Sequence, residues 1–304
     1  MELRHIVDLA RRRDDQAKQS GALVPKALNL TTVAFHESRC GSTLIANALI
    51  AMDPPKHRTY SESGPGAQAL KSICGEDFSR CSMEQAAKIL QDTVYMMSRT
   101  NDPMEERVFY KFQSITTKHV KVFQKAFPHV PWMFVYRDPV QVMMSHAKDG
   151  LHHANCVKSK KRPPDDVAAI AKRHDRPDPR HMQREEYCAA HLAGITEAAV
   201  DALDDNAIPM NYDGLIDKLY TQVLPRIWGR PLTAYEISNI QAVSQTYSKG
   251  RDDRHKEFKG DSEQKEKDAS DEIREAAGLF LKESFDTLET FTPKLLERDL
   301  PVIN

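Results

Sequence analysis

The eight residues His36-Glu37-Ser38-Arg39-Cys40-Gly41-Ser42-Thr43 bring together what a tetrahedral anion requires. Gly41 lets backbone approach a ligand closely, Ser42 and Thr43 offer hydroxyl donors, and Arg39 adds a planar cation. A β-rich run, Leu30 to Phe35 (LTTVAF), precedes the loop, and an aliphatic helix from Thr43 to Met52 follows it. The first turn of a helix presents backbone N–H groups with no intrahelical partner, so strand, turn and helix together suit a phosphate or a sulfate. The same Gly-Ser-Thr run also serves as ordinary helix capping. The nucleotide triphosphatase loop, G-x-x-x-x-G-K-[ST], needs a lysine directly after its second glycine. Here Ser42 follows Gly41, and the cation lies two residues before the glycine, at Arg39.

A second anion-binding constellation lies nearly a hundred residues on. Trp132 to Tyr136 (WMFVY) is the clearest strand in the chain, and Arg137-Asp138-Pro139 follows it directly. Proline is tolerated in the first turn of a helix, so Pro139 starts one that runs to about Lys148. Ser145 sits about two turns into that helix, eight positions after Arg137. An arginine leaving the carboxyl end of a buried parallel strand stands where open α/β sheets bind ligands. The alternative is that Arg137 pairs with Asp138 or another acid and Ser145 is surface.

The two segments, in this order, resemble the sulfotransferases that use 3′-phosphoadenosine 5′-phosphosulfate, PAPS. The first is similar to that family's [KR]-S-G-[ST]-T loop, with Cys40 where serine is usual and Ser38 where proline is usual. The second is similar to its 3′-phosphate segment, with Arg137 and Ser145 as the phosphate ligands. Asn211-Tyr212-Asp213-Gly214-Leu215 resembles the family's Y-[ED]-x-L segment. Ser248-Lys249-Gly250-Arg251 resembles the basic loop that closes over the nucleotide. The resemblance implies PAPS as donor and its bisphosphate, PAP, as product, without a metal. The residues implied to bind are Arg39, Cys40, Gly41, Ser42, Thr43, Arg137, Ser145, Tyr212, Ser248, Lys249 and Arg251. It further implies that Arg39 and the loop donors stabilise charge building on the bridging oxygen.

Sulfuryl transfer needs a base to take the acceptor's proton. Glutamate-type members of the family carry theirs just after the second strand, a position that falls within Thr59 to Pro65 here and selects Glu62; otherwise Glu62 is an exposed strand-end acid. His57 and His36 are the alternatives, with His36 better placed to neutralise charge. Lys111 is either a second cation near the bridging oxygen or a strand residue in a salt bridge. His152, His153 and Cys156 lack a second ligand pair at zinc spacing, so no metal site is expected. The basic run Lys158-Ser159-Lys160-Lys161-Arg162 is a solvated face, a localisation signal, a polyanion patch or the border of a lid over the acceptor.

The bulk composition is permissive. A chain of 304 residues with formal net charge −1 carries no global basic field, so nucleic acid is not expected as a partner. The N-terminus is charged, without a signal-peptide core, and no apolar run is long enough for a transmembrane segment. Five cysteines, an odd number, do not make a disulfide framework, which points to a reducing, cytoplasmic compartment and a small-molecule acceptor.

The chemistry-bearing segments sit on strands that alternate with helices: Leu30 to Phe35, His57 to Ser61, Arg107 to Phe112, Trp132 to Tyr136 and Ala207 to Tyr212. That pattern predicts one α/β domain over residues 1–304 with a parallel sheet of about five strands flanked by helices. The resemblance implies a nucleotide-kinase-like order with the loop-bearing strand in the middle. Helices are expected at Leu3 to Lys18, Met83 to Ser98, Thr117 to Phe127, Gln183 to Leu203, Leu215 to Ile227, Thr233 to Ser244 and Lys265 to Ser284. The charged, Pro-rich stretch from Val157 to Glu186 reads mostly as solvated loop and helix surface, and the segment from about Gly150 to Arg184 as a substrate-side loop or lid. The rival functions are a nucleotide kinase or triphosphatase, which the missing Gly-Lys pair opposes, and a catalytically silent nucleotide-binding protein.

Overall fold

Five strands form a wholly parallel sheet in the computed structural model, which describes residues 3–75, 78–244 and 262–299. In chain order they are β1 (Asn29–His36), β2 (His57–Ser61), β3 (Arg107–Lys111), β4 (Trp132–Tyr136) and β5 (Ala207–Asn211). They pair in the order β2-β3-β1-β4-β5, with the loop-bearing strand in the middle as expected. Strands covered on both faces read as continuous apolar runs, and every residue of β4 is buried. A separate two-residue bridge joins Lys26–Ala27 to Arg99–Thr100.

Helices cover both faces. On one face α4 (Met83–Ser98) and α5 (Val120–Ala126) pack over Phe35, Phe123 and Trp132, with Phe35 edge-on to both rings. On the other, α2 (Thr43–Met52) lies over Phe109 and Met133 through Ile45 and Leu49. A third apolar cluster joins α6 (Pro139–Ala147), α7 (Asp165–Arg173), α8 (Arg184–Val200) and the helix Asp271–Phe280. Ala189, Ala190, Ala193 and Gly194 allow α8 close neighbours on several sides at once. The chain's first helix, α1 (Leu3–Gln19), is held through its second half by Asp14, which takes a bidentate pair from Arg99.

Several expectations need correction. Within the segment 150–184, α7 buries Val167, Ile170 and Ala171 and two short 3-10 turns bury Leu151, Cys156 and Val157, so it contributes to the core as well as to the surface. Its start signal was present: prolines followed by Asp165 and Asp166, acids that favour a helix N-terminus. A second helix, α3 (Pro65–Cys74), follows Glu62 with its proline in the first turn. The single helix expected over Leu215 to Ile227 is two short α-helices joined by a π-turn at Leu219–Val223. The one expected over Lys265 to Ser284 is three, the second capped by Ser270.

The cysteine expectation is overturned. Cys74 pairs with Cys81 and Cys156 with Cys188, leaving Cys40 as the free, buried thiol. An odd count hid two pairs and one remainder, since pairing depends on distance in the fold: the Cα separations are 5.0 and 4.8 Å. The cysteines therefore give no support to a reducing compartment. No helix among the described residues is long and apolar enough to cross a membrane.

Candidate functional site

The carboxyl ends of β3, β1 and β4 meet at the loop between β1 and α2. Arg39 turns this loop at φ 70° and Gly41 at φ 85°. A Cβ on Gly41 would stand 2.5 Å from two ring carbons of Tyr212, so only glycine fits. Ser42 occupies the N-cap of α2, but its side chain makes no capping hydrogen bond. The capping alternative raised by the sequence is therefore not what Ser42 does. Cys40 is buried and its Sγ donates to the Glu37 carbonyl at 3.0 Å; burial pushes the thiol up to about 12. It shapes the loop rather than reacting.

Tyr212 follows β5 and links the two anion motifs. Its backbone N–H donates to the Tyr136 carbonyl at 2.8 Å, the Cδ2–Cε2 edge of its ring meets Gly41, and the Arg137 guanidinium stacks on the ring at 4.1 Å from the centroid. Stacking of this kind suits a planar guanidinium. Arg137 is buried, with Nε donating to the Gln141 side chain at 2.7 Å and Nη2 to Ser262 Oγ at 2.8 Å. Asp138 does not neutralise it but caps α6, accepting from the N–H groups of Val140 and Gln141. Ser145 is buried and donates to the Gln141 carbonyl at 2.8 Å, so it too is not surface. Gln141 thus serves both residues, by its side chain and by its backbone. Ser248, Lys249 and Arg251 lie outside the described residues.

On the other flank of β1 stands a charge cluster. Lys111, the last residue of β3, is 2% exposed, and its Nζ pairs with the half-exposed Glu62 carboxylate. Glu62 leaves β2 at φ 54°, a conformation uncommon for a residue with a side chain. Its N–H donates to the Lys111 carbonyl at 2.7 Å. Arg39 and Glu62 are two of four such non-glycine residues among those described, and such strain gathers at functional positions. His36 Nε2 lies 3.8 Å from Glu62 Oε1 and 2.9 Å from the Phe112 carbonyl. Burial first, and then the Lys111 charge, push His36 down to about 4. It is neutral near pH 7, so it does not neutralise charge as expected.

His57 is removed from the site. It begins β2, whose five residues put it about 13 Å from the functional end of that strand. Its Nδ1 meets the Leu49 carbonyl at 3.0 Å and its ring packs edge-on to Phe109. It is a core histidine.

Glu37 escaped the sequence reading because a carboxylate in an anion loop has the wrong sign. It is 3% exposed, and its Oε1 accepts the Arg137 backbone N–H at 2.7 Å. Burial pushes its carboxyl up to about 8, which keeps it neutral at pH 7. Only its burial, which residue type does not reveal, makes an acid acceptable there.

Beside the charge cluster lies a chamber of about 650 Å³. Phe35, Leu70, Phe112 and Phe123 line it, with Lys118 and Asp166 forming an ion pair at the wall and Gly194 leaving room for the Asp166 carboxylate. Gly66 and Ala67, just after Glu62, and Pro164 to Asp166 from the expected lid also border it. In the basic run, Lys158, Lys161 and Arg162 are exposed and Lys160 donates to the Arg180 carbonyl. His152 and His153 are exposed. The His/Cys grouping that forms among the described residues is His146 with Cys156 and Cys188, whose sulfurs are joined to each other rather than offered as thiolates.

No protein-family model and no curated protein matches the chain. Among solved structures it is similar to the sulfotransferase STF9 from Mycobacterium avium, at 13% identity and a TM-score of 0.46 over 96% of this chain and 83% of that one. It is similar to a sulfotransferase from Alicyclobacillus acidocaldarius at 13% identity and a TM-score of 0.40, over 90% and 97% of the two chains. The sulfotransferase domain of the Synechococcus PCC 7002 olefin synthase gives 12% and 0.39, over 91% and 98%. No residue role is carried over from these likenesses.

Proposed function

We propose that the chain is a sulfotransferase that moves a sulfuryl group from PAPS to a hydroxyl or amine of a small molecule. The observation that supports this reading is the Tyr212 ring, with Gly41 at its edge and Arg137 on its face, which joins the segments at the carboxyl ends of β1 and β4. Two cationic sites held by one ring suit a nucleotide with anions at both its 5′ and 3′ positions. A triphosphate would need the lysine that Gly41-Ser42 lacks.

When bound, the donor supplies an activated sulfuryl group and PAP as leaving group. The loop N–H groups, Arg39, Ser42 and Thr43 hold its 5′ anion, and Arg39 and Lys111 stabilise charge there. Arg137, Ser145 and Tyr212 hold the 3′-phosphate, with the Ser262 hydroxyl giving up its place on Arg137; Ser248, Lys249 and Arg251 belong to the same nucleotide end. Glu62 takes the proton from the acceptor, and the ion pair with Lys111 holds its carboxylate in place. The apolar chamber receives the acceptor's body.

Thermal stabilisation tests the reading. PAP at a hundred times its dissociation constant should stabilise the protein by about 2.7 kcal/mol, and ATP with magnesium should do much less. A shift with ATP and magnesium alone would sink the proposal in favour of a kinase or triphosphatase.

A further inference from the structure

The two anion motifs are joined twice at the end of β1: once by the Tyr212 ring, and once by Glu37. Glu37 directly follows β1, its N–H donates to the Val135 carbonyl of β4 at 3.1 Å, and its Oε1 accepts from Arg137 N–H at 2.7 Å. Its own carbonyl meets Cys40 Sγ and His36 Nδ1, at 3.0 and 2.7 Å. One residue therefore fixes the fold of the loop and the start of the Arg137 turn together.

We infer that Glu37 is a positioning residue that sets the spacing between the two anion sites, so that a nucleotide bearing both a 3′ and a 5′ anion is selected over one bearing only the 5′ anion. This rests on the proposed donor site. Either charge state of Glu37 can accept the Arg137 N–H, but only the neutral acid is compatible with two anions arriving nearby. The groups that face it are few. Cys40 and His36 come from its own loop, and Tyr136, Arg137 and Asp138 from the end of β4. The void beside it is otherwise lined by Pro139, by Thr196 of α8 and by Leu281, Phe285 and Leu288, none of them titratable. Glu289 is engaged by the Tyr136 hydroxyl at 2.7 Å. The Arg137 guanidinium, the natural counterion, is turned to Tyr212, Gln141 and Ser262. Burial holds the acid form of Glu37 to about pH 8 against the Arg137 N–H and the Arg137 charge, which favour the carboxylate, and the Asp138 charge adds to burial.

The test measures dissociation constants of PAP and of 5′-AMP, which lacks the 3′ anion, for the full chain between pH 6.5 and 9. For the wild type, the preference for PAP should fall about tenfold as pH passes 8. Glu37→Gln keeps an oxygen for the Arg137 N–H and cannot ionise, so it should retain the preference with a flat pH profile. Glu37→Ala should lose the preference at every pH, with 5′-AMP affinity changed less than threefold. Equal losses for both nucleotides in Glu37→Ala, or a Glu37→Gln profile that bends like the wild type, would overturn the inference and leave the donor assignment standing. Wild-type protein that binds no PAP at pH 6.5 would overturn both. Should Glu37→Ala fail to fold, the comparison of wild type with Glu37→Gln still decides.

Discussion

His36 and Glu37 are neighbours in the chain and face opposite flanks of the sheet. His36 turns toward β3, with Nε2 at the Phe112 carbonyl and near Glu62; Glu37 turns toward β4, with Oε1 on the Arg137 N–H. Both are buried and held neutral near pH 7, one titrating near 4 and the other near 8. The flanks they serve differ in kind. On the β4 flank the parts are fixed by packing: a ring against a glycine, a guanidinium on a ring, a backbone N–H on a buried acid. On the β3 flank a half-exposed carboxylate is held by a buried ammonium. Packing resists displacement and suits a group that must hold a ligand still. An ion pair open to water leaves its carboxylate able to meet an acceptor and exchange a proton. On the proposed function, the β4 flank would hold the donor and the β3 flank would take the acceptor's proton.

Substituting Glu62 with Gln should break the division most visibly. Removing a general base costs about 10²- to 10⁴-fold in rate. Turnover of sulfuryl transfer should fall by that range while the PAP dissociation constant, measured by calorimetry, stays within about threefold. A fully active Glu62→Gln protein would remove the base assignment, whereas a wild type that binds PAP and transfers nothing would favour the silent binder.

The opposite signature is expected from Gly41→Ala. The new methyl must take a left-handed backbone and displace the Tyr212 ring, each costing roughly 1–3 kcal/mol. Thermal denaturation should show the loss of stability, and PAP should no longer stabilise the protein. Retained PAP binding with a normal melting temperature would mean that the ring is not fixed as described. Arg137→Lys is milder. A lysine keeps the charge but loses the planar stack and the fixed fork of donors. PAP affinity should fall about tenfold, with 5′-AMP affinity little changed. Equal losses for both nucleotides would place Arg137 at the wrong end of the ligand.

Much of this was legible in the sequence. The sheet followed from apolar runs such as Trp132 to Tyr136 that only a strand covered on both faces explains, and the order of motifs placed Arg39 and Arg137 at one sheet edge. What stayed hidden depends on contacts between distant residues. Nothing in the type of Tyr212 reveals that its ring edge abuts Gly41, nor does the cysteine count reveal which thiols meet. Glu37 was hidden more deeply, because burial reverses the meaning of its residue type. The same holds for His36, whose burial makes it neutral where its position invites a cation.

The smallest expected effects are the pH slopes, and they test the comparison at its centre. His36 titrates near 4 in the fold and near 6.5 unfolded, so the unfolded chain takes up the proton first as pH falls, and stability drops from about pH 6.5 toward 4. Glu37 titrates near 8 in the fold and near 4.5 unfolded, so the unfolded chain releases its proton first as pH rises, and stability drops from about pH 4.5 toward 8. The two slopes oppose each other below pH 6.5, and above it that of Glu37 acts alone. One proton corresponds to at most about 1.4 kcal/mol per pH unit. Urea denaturation at pH 6.5 and 8 should therefore show wild-type stability falling with pH and Glu37→Gln falling less. His36→Gln should differ from the wild type only on the acid side, losing less stability between pH 6.5 and 4. If both variants followed the wild type throughout, neither residue would be held neutral by burial, and the opposition between the flanks would reduce to geometry alone.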